Sequence, residues 1–123
     1  MKDYDRRSLL KLARSAIESR VKAQTMPAPG TAEVFGQLAG AFVTIHKHGQ
    51  LRGCIGHVEA DEPLGRVVTR CAVAAASSDP RFTPVAPDAL PHLHIELSVR
   101  GPLGPIERLA DILIARHGLV VAQ

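Results

Sequence analysis

Residues 40–47, GAFVTIHK, are rich in β-branched and aromatic residues and are followed by His48-Gly49-Gln50 and then LRGCIGHV. This succession constrains the fold more than any other feature of the chain, because it reads as a β-hairpin. With Lys47-His48-Gly49 as a three-residue loop and Gly49 as its left-handed residue, Ile45 faces Leu51, Val43 faces Gly53 and Ala41 faces Ile55. That face is expected to be buried. The other face then gathers Thr44 with Arg52, Phe42 with Cys54, and His46 beside them. Two glycines, Gly53 and Gly56, flank Cys54 within the second strand. Glycine in a strand interior forfeits side-chain packing and marks a bulge or a close approach to the backbone, so something is expected to come close here.

Elsewhere the pattern alternates between helix and strand. Leu9, Leu10, Ala13, Ala16, Ile17 and Val21 recur at intervals of three and four, which predicts an amphipathic helix over about Asp5 to Ala23. Pro27, Pro29 and Gly30 make a connector. Asp61 and Pro63 mark a helix start, and Leu64, Val67, Val68, Cys71, Ala72 and Ala75 carry the helix to about Ser77. Ser78 to Pro91 holds four prolines and reads as a long loop. His92 to Arg100 alternates, with Leu93, Ile95, Leu97 and Val99 on the buried side. Beyond Gly101 the pattern fits a short helix or strands, and the chain ends in the apolar run Gly118-Leu-Val-Val-Ala122. An apolar ending of this kind predicts that further chain is needed to cover it.

A chain of 123 residues has the length of one domain, and 46% hydrophobic with 22% charged residues is ordinary globular composition. The charged residues of the first helix leave no place there for a signal peptide or membrane span, and a cytoplasmic location is expected. Without an export signal, Cys54 and Cys71 are expected to be free thiols, and the lack of any CxxC pair argues against a structural zinc module. The net charge of +3 is scattered along the chain, and the aromatics Tyr4, Phe35, Phe42 and Phe82 are dispersed. Neither feature favours nucleic-acid binding.

Cys54 is the sharpest candidate for chemistry. A thiol between two glycines, with Arg52 adjacent and a histidine near, can act as nucleophile or ligand, whereas a lone strand cysteine can equally be a small buried hydrophobe. His46, His57 and His94 are candidate bases. Arg52 and Arg81 are candidate anion clamps through their planar guanidinium forks. His46/His48 and His92/His94 place rings on common faces and could hold a metal with Cys54 or an acid, but they match no known ligand spacing, so no metal is assigned and the cofactor is left open. Cys71 lies on the apolar stripe of its helix and belongs to the core. The stiff four-proline loop is expected to hold Arg81 and Phe82 against the end of the LRGCIG strand.

Taken in order, LRGCIG, the Pro63-initiated helix, Ser78-Asp-Pro-Arg-Phe82, the strand HIELSV and Arg116-His-Gly-Leu119 make the chain similar to the AMMECR-type domain family, called AmmeMemoRadiSam system protein A in bacteria. The resemblance implies an α+β fold with an antiparallel sheet and flanking helices, as a single domain over residues 1–123 that lacks its C-terminal part. It implies a candidate site at Arg52, Gly53, Cys54, Gly56, Asp79, Pro80, Arg81 and Phe82, and association with a MEMO-type protein of the dioxygenase superfamily and a radical SAM protein. It implies no reaction. Two functions are therefore carried forward: a small-ligand or partner-binding component, or an enzyme in which Cys54 reacts while Arg52 and Arg81 hold an anionic substrate. Thr83, where a proline commonly follows in the family, and Ser77-Ser78 alter the rim of that site.

Overall fold

The computed structural model describes residues 3–30, 32–101 and 106–110. Helix α1 (Asp3–Val21) precedes the short α2 (Glu33–Gly36), the strands β1 (Gly40–Lys47) and β2 (Gln50–His57), helix α3 (Leu64–Ser77), a 3-10 turn over Pro87–His92, and strands β3 (Leu93–Arg100) and β4 (Ile106–Ala110). The sheet is antiparallel with the order β2-β1-β3-β4. The α+β architecture agrees with the sequence pattern.

One face of the sheet forms the core. Ala41, Val43 and Ile45 of β1 and Leu93, Ile95, Leu97 and Val99 of β3 are buried, and Leu9, Ala13, Ala16 and Ile17 of α1 and Leu64, Val67, Val68, Cys71, Ala72 and Ala75 of α3 meet them. Period-2 alternation in the strands and three-to-four spacing in the helices direct these residues to one shared layer. The abundance of alanine in α3 lets its backbone lie close to the sheet.

The hairpin forms with a register different from the expected one. Lys47 pairs with Gln50, so the turn has only two residues, His48 (φ 52°) and Gly49 (φ 79°), both left-handed. That is the twist-compatible turn that two-residue hairpins require. A bulge between Ile45 and His46 then leaves Arg52 as the extra residue: His46 pairs with Leu51, Ile45 with Gly53, Val43 with Ile55, Thr44 with Cys54 and Phe42 with Gly56. Without the bulge a two-residue turn would set Arg52 opposite Ile45, against the core. Thr44 and Cys54 therefore do share a face, but the expected pairs Thr44–Arg52, Phe42–Cys54 and Ile45–Leu51 are not formed. Ile45 is buried, while Leu51 and Ile55 are only partly so.

Other differences are local. The connector contains α2, the proline-rich loop closes with a 3-10 turn, and the ambiguous segment after Gly101 contributes β4. The apolar run from Gly118 and the Arg116-His117 pair lie outside the described residues. Among the described residues, no helix is long and apolar enough to cross a membrane.

Candidate functional site at the LRGCIG strand

Among the described residues, strand β2 is an edge of the sheet, so one side of its backbone lacks a strand partner there. The loop after α3 supplies one. The Cys54 N–H donates to Asp79 Oδ2 at 3.0 Å, and Arg81 Nη2 donates to the Cys54 carbonyl at 3.5 Å. Asp79 and Arg81 are themselves tied together, with Arg81 Nε to Asp79 Oδ1 at 3.0 Å, Nη2 to Oδ2 at 2.7 Å, and the Arg81 backbone N–H to Oδ1 at 3.1 Å. An aspartate–arginine clasp thus satisfies the two edge groups that a neighbouring strand would otherwise take. Asp79 is only 5% exposed. The Arg81 guanidinium, helped by the Cys54 N–H, holds its carboxyl well below the usual carboxylate range despite burial, and Asp79 in turn raises the affinity of Arg81 for its proton.

The clasp depends on local chemistry. The Phe82 N–H closes a turn on the Asp79 carbonyl at 3.1 Å, and the Val85 N–H donates to the carbonyl of Ala76 at 2.8 Å. The Arg81 guanidinium carbon lies 5.2 Å from the Phe82 ring centroid, a cation–π contact.

The two glycines around Cys54 have separate reasons. A Cβ on Gly53 would sit 2.0 Å from the carbonyl oxygen of Ala75, so α3 fills the space where a side chain would be. A Cβ on Gly56 would fall 2.2 Å from the ring of Phe42, its partner across the hairpin. Helix backbone approaches one glycine, and an aromatic ring covers the other.

Cys54 is partly exposed and its Sγ lies 3.2 Å from Thr44 Oγ1. Among the described residues, none of His46, His57 or His94 is hydrogen-bonded to that thiol. His46 and His94 are partners across β1 and β3, and His94 Nε2 is buried with no hydrogen-bond partner among the described residues. His57 turns to Asp61 at 2.8 Å. Cys71 is buried, and desolvation pushes its thiol up. Both cysteines are free.

Arg52 and Arg81 converge on a cleft of about 410 Å³ that is also lined by Lys47, Phe82, Leu93 and Asp88. Arg52 is braced by the Leu51 carbonyl and Gln50 Oε1, both at 3.2 Å. Sequence reading missed Lys47, although its place at the end of β1 beside the Arg52 bulge was a usable signal. It also missed a tight group formed by His57, Asp61 and Glu62, whose donor atoms all lie within 4.8 Å of one another. Arg70 grips Glu62 at 2.6 and 3.2 Å, which makes the group a satisfied ion-pair network. The signal for it was the HVEADE stretch, with His57 and Asp61 four residues apart.

Fold and site together define an α+β domain whose antiparallel sheet has an edge strand closed by an aspartate–arginine clasp, with a cationic cleft beside it. Residues 10–123 match the AMMECR1 family, and the chain belongs to that family. It is 37% identical over 131 residues to protein Mbar_A1807 of Methanosarcina barkeri, covering 98% of this chain and 65% of that one. It is 43% identical over 103 residues to a protein of Methanothermobacter thermautotrophicus, covering 82% of this chain and 54% of the relative. Among solved structures, it is similar to the uncharacterized protein PH0010 from Pyrococcus horikoshii, with a TM-score of 0.75 and 33% identity over 80% of this chain and 52% of that one. The chain thus spans between half and two thirds of the length of these relatives. Membership in the family carries the fold but no reaction.

Proposed function

We propose that the protein is a binding component, in which the cleft beside the LRGCIG strand takes the anionic group of a small ligand or of a partner chain. The observation that carries this reading is the convergence of Lys47, Arg52 and Arg81 on one cleft with, among the described residues, a single lining acid, Asp88. Arg81 is committed to Asp79, so it contributes position and field more than free donors. Arg52 uses two of its N–H groups on Leu51 and Gln50 and keeps others for a carboxylate or phosphate. Gly53, Gly56 and Asp79 shape the strand, Arg81 and Phe82 shape the wall, and Cys54 serves as a small side chain at the clasp. Following the family resemblance, the partners are a MEMO-type protein and a radical SAM protein, and the location is the cytoplasm.

The test is titration of the full chain with inorganic phosphate and with malonate, followed by backbone NMR shifts. Shifts at Lys47, Arg52 and Val85 that saturate, and affinity at least about 5-fold weaker in Arg52→Ala, are expected for loss of one partly exposed charge contact. Equal binding by wild type, Arg52→Ala and Lys47→Ala would remove the cleft from consideration. A Cys54 thiol that alkylates far faster than free cysteine at neutral pH would instead favour an enzyme with Cys54 as nucleophile.

A further inference from the structure

A second concavity, about 890 Å³, shares no residue with the LRGCIG cleft. It forms where the connector lies across α3. Gly65 permits this, since a Cβ there would lie 2.9 Å from Pro29 and 3.1 Å from Phe35. The lining has two distinct parts. Its floor is apolar, with Pro29, Phe35, Pro63 and Val73, and Met26 stands 38% exposed beside them. Its rim is basic, with Arg20 from α1 and Arg66 and Arg70 from α3 set against one lining carboxylate among the described residues, Glu33.

The three arginines are not equivalent. Arg70 is held by Glu62, whereas Arg20 and Arg66 make no ion pair or side-chain hydrogen bond among the described residues. Two arginines unengaged among the described residues therefore line a groove with an apolar floor, and the volume of that groove falls within the range of small-molecule sites, roughly 300–1,000 Å³. That combination is complementary to a molecule with an apolar body and an acidic head. Glu33 on the same rim disfavours a doubly charged phosphate and favours a monoanion. A second copy of the chain fits poorly, because a two-fold contact would bring Arg20, Arg66 and Arg70 towards their own counterparts. A nucleic acid fits poorly as well, because Phe35 is the one aromatic ring lining the groove among the described residues.

We propose that this groove binds a small apolar carboxylate, with its hydrocarbon or aromatic body on Pro29, Phe35 and Val73 and its carboxylate between Arg20 and Arg66. The site is independent of the LRGCIG cleft, so either can fail without the other.

The experiment uses the full chain and sodium octanoate, with octylammonium and acetate as probes lacking the right head or the body. Binding is followed by calorimetry and by backbone NMR. Saturable octanoate binding that shifts the Phe35, Thr69 and Val73 amides is expected, with neither octylammonium nor acetate reproducing it. Arg20 and Arg66 are exposed, so the double variant Arg20→Ala/Arg66→Ala keeps its fold, checked by circular dichroism, and should bind octanoate at least about 5-fold more weakly. Lys11→Ala, an exposed residue that lines neither concavity, should leave octanoate affinity unchanged. Equal affinity for octanoate and octylammonium, affinity of the double variant within about 2-fold of wild type, or shifts centred on Arg52 and Arg81 would each overturn the proposal. So would an acidic peptide that occupies the groove while octanoate at about 10 mM does not.

Discussion

Gly53→Ala separates a glycine that admits a helix from a glycine that leaves room for a ligand. The added Cβ would lie 2.0 Å from the Ala75 carbonyl oxygen and 2.9 Å from its carbon, whereas ordinary contact begins near 3.4 Å. The obstructing atoms are helix backbone, so no side chain can rotate out of the way. Strand β2 or the last turn of α3 must move by more than about 1 Å, and this disturbs both the Thr44–Cys54 register and the clasp at Cys54. Overpacking of this kind typically costs about 1–3 kcal/mol, and a backbone clash belongs at the upper end. At roughly 4 °C per kcal/mol for a domain of this size, the melting temperature should fall by about 10 °C. Differential scanning calorimetry of wild type, Gly53→Ala and Gly36→Ala measures this, since a Cβ at Gly36 meets nothing within 4 Å among the described residues and that variant should stay within about 0.5 kcal/mol of wild type. Gly56→Ala should fall between them, because the Phe42 ring can swing aside. A Gly53→Ala protein that melts within about 2 °C of wild type would refute the packing argument. If that protein also lost anion binding, the glycine would be explained by ligand access instead.

The clasp makes stability depend on acidity. Asp79 is held lower in the folded chain than in the unfolded one, where a carboxyl titrates near about 3.9, so its contribution is complete above that value and is lost as pH falls towards the folded value. Asp79→Asn should therefore be less stable than wild type at neutral pH and converge with it in strong acid, as read from urea midpoints; parallel pH profiles for the two proteins would contradict the assignment. Cys54 should react with a small alkylating reagent in the native state while Cys71, buried and with its thiol pushed up, reacts only on unfolding. Mass spectrometry of the modified peptides distinguishes them, and early labelling of Cys71 would count against the packing of α3.

Much of the fold was legible because two periods sort the residues without reference to anything distant. Leu9 to Ile17 and Leu64 to Ala75 repeat as helices, and Leu93 to Val99 alternates as a strand, so the buried layer follows from local pattern alone. The parity of Cys54 with Thr44 was also legible, yet the route to it was not: a two-residue turn and a bulge at Arg52 reach the same face as the longer loop read from the sequence. The choice is decided by the twist of the paired strands and by keeping a guanidinium out of the core. LRGCIG and DPRF announced themselves as unusual, but their relation exists only in three dimensions. Residues 25 positions apart meet because β2 is an edge whose Cys54 N–H and C=O must be satisfied, and only the packing of α3 against Gly53 brings Asp79 and Arg81 to that edge. The arginine-rimmed groove is likewise tertiary, since Arg20 and Arg66 belong to different helices and no spacing along the chain links them.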